Sequence, residues 1–371
     1  MSYPRLNAIY NQKDINLADG GLGLTLEAKF GLKIAHTPLW STRAAVDDGG
    51  QGLQALLQAH TEFLRAGARS LLTATYQAAY NTFEREGYTR DRALKLMSSA
   101  VTVANKARSQ YQVENPIIQP HDIRIVLSLC AFGGTVSPMQ DYDGIYPPPY
   151  GPRAYTTSRE NITSFGEDLV GREKSIQALA EFHTERVLAF ADNDQTWDAI
   201  DAIAFETLSL QREVTAIRRA MTTVEEVLQK GGRCVKPWWI TAVFPDGRCR
   251  ETHAPGGDNI SAKDVATAMI RQEANDQGTQ LARPDGIGIN CTEVQFLPGL
   301  VEAFTQATGG CPWLILKPNG IAREAEAWAA GLLECIDKMK GSGWGGIVAG
   351  GCCAATPDFI DSLRIQLVQM K

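Results

Sequence analysis

Short apolar runs alternate with amphipathic stretches along the chain, and their spacing predicts eight strands interleaved with helices. The first strand falls at 15–18 and ends at Asp19-Gly20-Gly21. Apolar positions Leu53, Leu56, Leu57 and Leu64, with His60 among them, then recur at helical spacing. Further strands are predicted at 70–75, 124–131, 202–205, 238–244, 286–290, 313–316 and 346–349. A long helical region runs to about residue 111, and helices are predicted near 166–192, 209–230, 261–277, 295–307, 321–340 and 356–370. Two of these carry start signals: Ser261 ahead of Ala262-Lys263-Asp264, and Thr356 ahead of a first-turn Pro357.

Eight strands, each followed by helix, are what a (β/α)₈ TIM barrel requires. A doubly wound open sheet shares the same local alternation, but the count of eight favours the barrel. One barrel domain over residues 1–371 is expected. Residues 137–155, SPMQDYDGIYPPPYGPRAY, break the alternation with four tyrosines and five prolines. Loops of that length in compact domains are mostly lids or binding elements. Following strand three, this one is expected to form a lid over the barrel mouth.

Composition narrows the function classes. The 371 residues carry a net charge of −6 with both signs mixed, and no basic tail or stripe. Nucleic acid and anionic membranes are therefore poor partners. No leader pattern precedes Asp14 and no apolar run reaches membrane length, so a cytoplasmic protein is expected. Eight cysteines in a chain of this size do not form a disulfide scaffold; clustered ones point to metal or catalysis.

The reactive residues gather just after the predicted strands. Asp19 follows the first, Tyr76 and Gln77 the second, Glu206 and Thr207 the fourth. Asn290 and Cys291 follow the sixth, Asn319 the seventh, Cys352 and Cys353 the eighth. In a barrel all of these converge on the C-terminal mouth, where active sites of the fold are built. Cys130, Cys234, Cys249, Cys311 and Cys335 read as small buried hydrophobes. The pair in Gly350-Gly351-Cys352-Cys353 reads differently. Adjacent strand residues face opposite ways, so both sulfurs reach one metal only where the backbone leaves the strand, and two preceding glycines permit that. With Cys291 across the mouth, three thiolates form a zinc site; a strained vicinal disulfide is the rarer alternative. Three protein ligands leave one position open, as in catalytic sites. Sulfur ligands make zinc a weak Lewis acid, suited to holding a substrate thiol as a still nucleophilic thiolate. The five histidines have no ligand spacing and HExxH is absent, which disfavours a zinc hydrolase. The run at 341–346 matches GxGxxG but precedes a strand, so it is no dinucleotide fingerprint.

At this point the chain resembles the homocysteine S-methyltransferases over nearly its whole length. The resemblance lies in DGG at 19–21, PLWSTRAA at 38–45, FLRAGARSLLTATYQA at 63–78, DYDGIY at 141–146, FETL at 205–208, GIGINC at 286–291, KPNG at 317–320 and GGCC at 350–353. It implies a zinc-bearing (β/α)₈ barrel that moves a methyl group from a positively charged donor to homocysteine, forming methionine. The lid and PLWST segments look most like the branch using S-methylmethionine or S-adenosylmethionine, more than the betaine-dependent one. The resemblance implies homocysteine's sulfur at the open zinc position and its ammonium at Glu206, with Asp19 nearby. Gly20, Thr75, Tyr76, Gln77 and Asn290 are then substrate-binding candidates, while a structural ion pair is the plainer role for Glu206. A sulfonium favours aromatic neighbours, for which Trp40, Phe132, Tyr142 and Tyr146 are the candidates. No general base is expected. A homo-oligomer is compatible with the family.

Three segments depart from the family. Gly23-Leu24-Thr25-Leu26 stands for Ala-Thr-Glu-Leu, Cys130-Ala131-Phe132-Gly133 for Gly-Pro-Tyr-Gly, and Lys317-Pro318-Asn319 for Tyr-Pro-Asn. These leave open the donor and the acceptor, including another thiol or a selenol such as selenohomocysteine. They also leave open a non-catalytic thiol- or metal-binding homologue.

Overall fold

The computed structural model describes residues 4–35, 37–46, 50–274, 278–309, 312–321 and 323–370. Eight parallel strands form one sheet: β1 Ile15–Leu17, β2 Ser70–Leu72, β3 Arg124–Cys130, β4 Ala202–Leu208, β5 Trp238–Ala242, β6 Gly286–Glu293, β7 Trp313–Asn319 and β8 Ile347–Ala349. Neighbours pair in the order β1-β8-β7-β6-β5-β4-β3-β2. A parallel bridge between Ala18 and Ser70 joins the two ends, so the sheet closes as the predicted barrel.

The strands read as continuous apolar runs because both faces are buried. Leu71, Ile125, Leu127, Ile203, Phe205, Trp238, Ile240, Ile287 and Leu314 pack outward against the helices. Their alternates Leu72, Val126, Ala202, Ala204, Trp239, Ile315 and Val348 fill the barrel with Leu6 and Tyr10. The segment carrying Leu6 and Tyr10 plugs the N-terminal end. Tyr10 Oη lies 2.8 Å from Ser70 Oγ, and Trp313 Nε1 donates to Asn7 Oδ1 at 2.7 Å. Sequence periodicity gave no sign of this plug, whose only helix is Pro4–Asn7.

The helices that flank the sheet include Gln51–Arg65, Arg90–Glu114, Leu169–Ala191, Gln211–Lys230, Leu297–Thr308, Ala325–Lys338 and Pro357–Gln369. One prediction runs too long. Of the helix expected at 261–277, Ala262–Ile270 is helical, 271–274 are not and 275–277 lie outside the described residues; the buried Arg218 guanidinium caps its end, donating to the carbonyls of Ala268 (2.9 Å) and Arg271 (2.7 Å). Strand ends differ as well. β2 stops at Leu72, where Thr73 and Thr75 turn their hydroxyls on each other (2.6 Å) and Thr75 Oγ1 donates to the Ser128 carbonyl (2.7 Å). β4, β6 and β7 instead run past their predicted ends, so Glu206, Cys291 and Lys317 lie within strands. Cys130, Cys249 and Cys335 are buried as expected, Cys234 is exposed, and Cys311 lies outside the described residues.

Candidate metal and thiol site

Two strand irregularities at the C-terminal mouth aim the site. The β4–β5 register shifts between Phe205 and Leu208, and the β6–β7 register shifts between Asn290 and Glu293. At each shift a non-glycine residue turns into the left-handed region, Thr207 at φ 63° and Cys291 at φ 50°. Bulges re-aim side chains in this way, and strain at non-glycine residues is held where surrounding bonds over-determine it. Asn290 supplies those bonds: its Oδ1 accepts from Thr207 N (2.8 Å) and its Nδ2 donates to Thr207 Oγ1 (2.7 Å). The Thr207 hydroxyl in turn donates to Cys291 Sγ at 3.5 Å.

The other two sulfurs come from the turn after β8. Its glycines serve close approach, since neither Gly350 nor Gly351 has a positive φ; the left-handed residue is Ala354, at φ 61°. A Cβ at Gly350 would stand 2.6 Å from the Asp19 carbonyl oxygen, and one at Gly351 would stand 2.2 Å from Ala355 Cβ. The turn is pinned by Gly351 N to Asp19 O (2.9 Å), Cys352 N to Pro318 O (2.9 Å) and Gly320 N to Cys353 O (2.8 Å).

Cys291, Cys352 and Cys353 come together with all three sulfurs within 4.8 Å of one another. Tetrahedral zinc at about 2.3 Å from each sulfur needs them roughly 3.8 Å apart, a separation that lies within this limit. The electrostatics fit as well. Hydrogen bonds from Cys291 and Cys353 hold the Cys352 thiol well below its ordinary range, and the Lys317 charge adds to this. The same contacts push Cys291 up, as does its burial. One sulfur ionises at the expense of its neighbours, and a divalent cation at their centre removes that conflict. Asn290 Nδ2 lies 3.8 Å from Cys352 Sγ and Tyr142 Oη lies 3.7 Å from Cys353 Sγ.

The three cysteines open onto a cavity of about 150 Å³. Gly20, Trp40, Tyr76, Tyr142 and Glu206 also line it, as the sequence suggested, together with Lys317, Ser128, Met139 and Asp141. Thr75, Gln77 and Asn290 are not among the lining residues; they stand behind the wall, where Gln77 Oε1 accepts from Ser41 Oγ at 3.3 Å. Phe132 and Tyr146 also sit behind. Phe132 stacks on Tyr150 (3.9 Å between centroids) and meets Tyr146 edge-on, while Tyr146 Oη donates to Glu213 Oε2 at 2.7 Å. Asp19 is fully buried beside the cavity; its Oδ2 accepts from Leu72 N at 2.8 Å, and burial pushes its carboxyl up to about 7 against the pull of Lys317. Within 137–155, Asp141 Oδ2 accepts from Tyr76 Oη at 3.1 Å, tying the segment to the mouth.

Glu206 is engaged from two sides. Lys317 Nζ donates to its Oε1 at 2.9 Å, and Ser128 Oγ donates to its Oε2 at 2.8 Å. Both Glu206 and Lys317 are buried. In the sequence Lys317 stands out only as a departure from the family; a lysine ending the run WLIL is the available signal. Ser128 and Asp141 offered none, being ordinary residues in a strand and a loop. The first departure also has a local reason: a Cβ at Gly23 would stand 3.0 Å from Trp40 Cε2, so glycine lets the indole settle against the helix Leu22–Phe30.

The fold and the cluster define a barrel enzyme with a thiol-rich centre at its C-terminal mouth. The chain belongs to the homocysteine S-methyltransferase family, whose model matches residues 16–367, and it is a methyltransferase. It is 24% identical to homocysteine S-methyltransferase 2 of Arabidopsis thaliana, covering 95% of this chain and 93% of that protein. It is 26% identical to selenocysteine Se-methyltransferase of Brassica oleracea var. italica, covering 96% and 89%. The crystal structure of homocysteine methyltransferase MmuM from Escherichia coli, metallated form, superposes with a TM-score of 0.66 at 22% identity, covering 98% of this chain and 100% of that one. Among the described residues no helix is long and apolar enough to cross a membrane.

Proposed function

We propose that the chain transfers a methyl group from a sulfonium donor, S-methylmethionine or S-adenosylmethionine, to the thiolate of a small acceptor, and that Cys291, Cys352 and Cys353 would hold a zinc ion able to keep that sulfur ionised. The observation that carries this reading is the meeting of three sulfurs from two strand ends on a cavity with room beside them. The metallated MmuM relative and the family match support it. When bound, zinc lowers the pKa of the acceptor thiol and keeps it ionised.

The remaining work falls to the chain. Asn290, Thr207 and Tyr142 orient the three sulfurs through their polar hydrogens. Trp40 and Tyr142 offer aromatic surfaces to the donor's positive charge. The acceptor thiol gives its proton to solvent on binding. Its sulfur lone pair then forms the new S–CH₃ bond as the donor's S–CH₃ bond breaks, and that electron pair stays on the donor sulfur, which departs as a neutral thioether. No proton moves at carbon, so orientation and exclusion of water supply most of the acceleration. Residues 137–155, held to the mouth through Asp141, act as the lid that excludes water.

The acceptor is homocysteine, from which the family takes its name, or another small thiol or selenol; the selenocysteine relative illustrates the second class. The test is thioether formation by zinc-loaded protein with each sulfonium donor across a panel of thiols and selenols, for the wild type and Cys352→Ala. Transfer with at least one donor, lost by at least roughly 10³-fold in the variant, is the expected result. Stoichiometric zinc without turnover on any pair would favour a thiol-binding homologue instead.

A further inference from the structure

Glu206 lies on β4 and Lys317 on β7, 111 residues apart in sequence, yet Nζ and Oε1 meet at 2.9 Å inside the cavity that the three cysteines line. Lys317 is 3% exposed and Glu206 4%. With Ser128 on Oε2, each oxygen of this carboxylate already has a donor of its own. An ammonium group therefore sits where the family resemblance would put that of an amino-acid substrate, and the chain itself provides it. A second ammonium entering there would meet a buried like charge, the repulsive element by which sites reject a wrong partner. Lysine carries three N–H donors, and among the described residues Glu206 accepts the one hydrogen bond that Lys317 makes. The two left over suit an anion.

We propose that Lys317 stands in for the substrate ammonium, so that the acceptor of this chain is a small ω-mercaptocarboxylate (or its selenol analogue) without an amino group. Its carboxylate pairs with Lys317 and its sulfur faces the three cysteines. The inference rests on thiol binding at the proposed metal site and sharpens which thiol binds there.

Three thiols with the same chain separate the possibilities: 4-mercaptobutanoate, homocysteine, and 3-aminopropane-1-thiol, which respectively lack the amino group, keep both groups, and lack the carboxylate. Their dissociation constants for zinc-loaded full-length protein are measured by calorimetry without donor, and kcat/KM is measured separately with donor. The expected order is 4-mercaptobutanoate tightest, homocysteine weaker by about tenfold or more, and the aminothiol weakest. Lys317→Met is expected to reverse the first two by exposing Glu206 to the substrate ammonium. Homocysteine binding tightest to the wild type would overturn the inference, since Lys317 would then read the carboxylate of an intact amino acid. The wild-type order decides the matter even if the variant does not fold. Binding in the expected order without methyl transfer would refute the transfer reaction while supporting the head-group preference. Failure of every thiol to bind would overturn both.

Discussion

Asn290 spends both ends of its side-chain amide on Thr207, holding the bulge of β4 against that of β6 while its Nδ2 also faces Cys352 Sγ. Replacing it by alanine strands a buried backbone N–H at Thr207, and such a group costs about 1–3 kcal/mol when unsatisfied. Asn290→Ala should therefore lose that much unfolding free energy in urea titrations, and roughly 10- to 100-fold in zinc affinity by competition with a chelator. A loss of stability with unchanged zinc affinity would restrict Asn290 to a structural part. At this scale the sequence was informative where a residue type is scarce and telling, as with Cys291, Cys352 and Cys353. It was silent on pairing. The plainer role considered for Glu206, an ion pair, is what the structure shows, but its partner Lys317 is set by the placement of β4 and β7 in the barrel, which no local pattern encodes. For the same reason Phe132 and Tyr146 could not be told from Trp40 and Tyr142. All are aromatic residues outside the predicted strands, and only packing puts two on the cavity and two off it.

Elements were legible through periodicity, and their ends were not. A bulge costs no apolar residue, so β4 and β6 continue through Glu206 and Cys291 in a way that hydrophobic alternation does not report. The helix Gln51–Arg65 shows the opposite case, a face that the spacing marks out with its histidine included. Of the positions that the spacing picks out, Leu56, His60 and Leu64 are buried and Leu53 and Leu57 half-buried, and His60 has no hydrogen-bond partner on either ring nitrogen among the described residues. Burial alone lowers its pKa from 6.5 to about 4. The folded chain keeps this imidazole neutral while the unfolded chain protonates it. Stability is thus fully present above pH 6.5 and falls as pH drops toward 4, by about 3 kcal/mol in all. His60→Leu should flatten the dependence of unfolding free energy on pH between 7 and 4 by about that amount. An unchanged slope would mean that His60 finds a partner or water in solution.

For the whole molecule, a count of eight strand–helix units was enough to foresee the barrel and the end at which its chemistry collects. The plug at the opposite end has no signature in the sequence, because Pro4–Asn7 is too short to show a period and Leu6 and Tyr10 gain meaning only once a barrel exists for them to fill. The pairing of both β6 and β8 with β7 is what brings sulfurs from β6 and the turn after β8 to one point. Zinc K-edge X-ray absorption of protein purified under reducing conditions tests that point directly. Stoichiometric zinc with three sulfur scatterers from the chain is expected, rising to four when an acceptor thiol is added. Absence of zinc, a first shell dominated by nitrogen and oxygen, or no new sulfur on adding any thiol would contradict it.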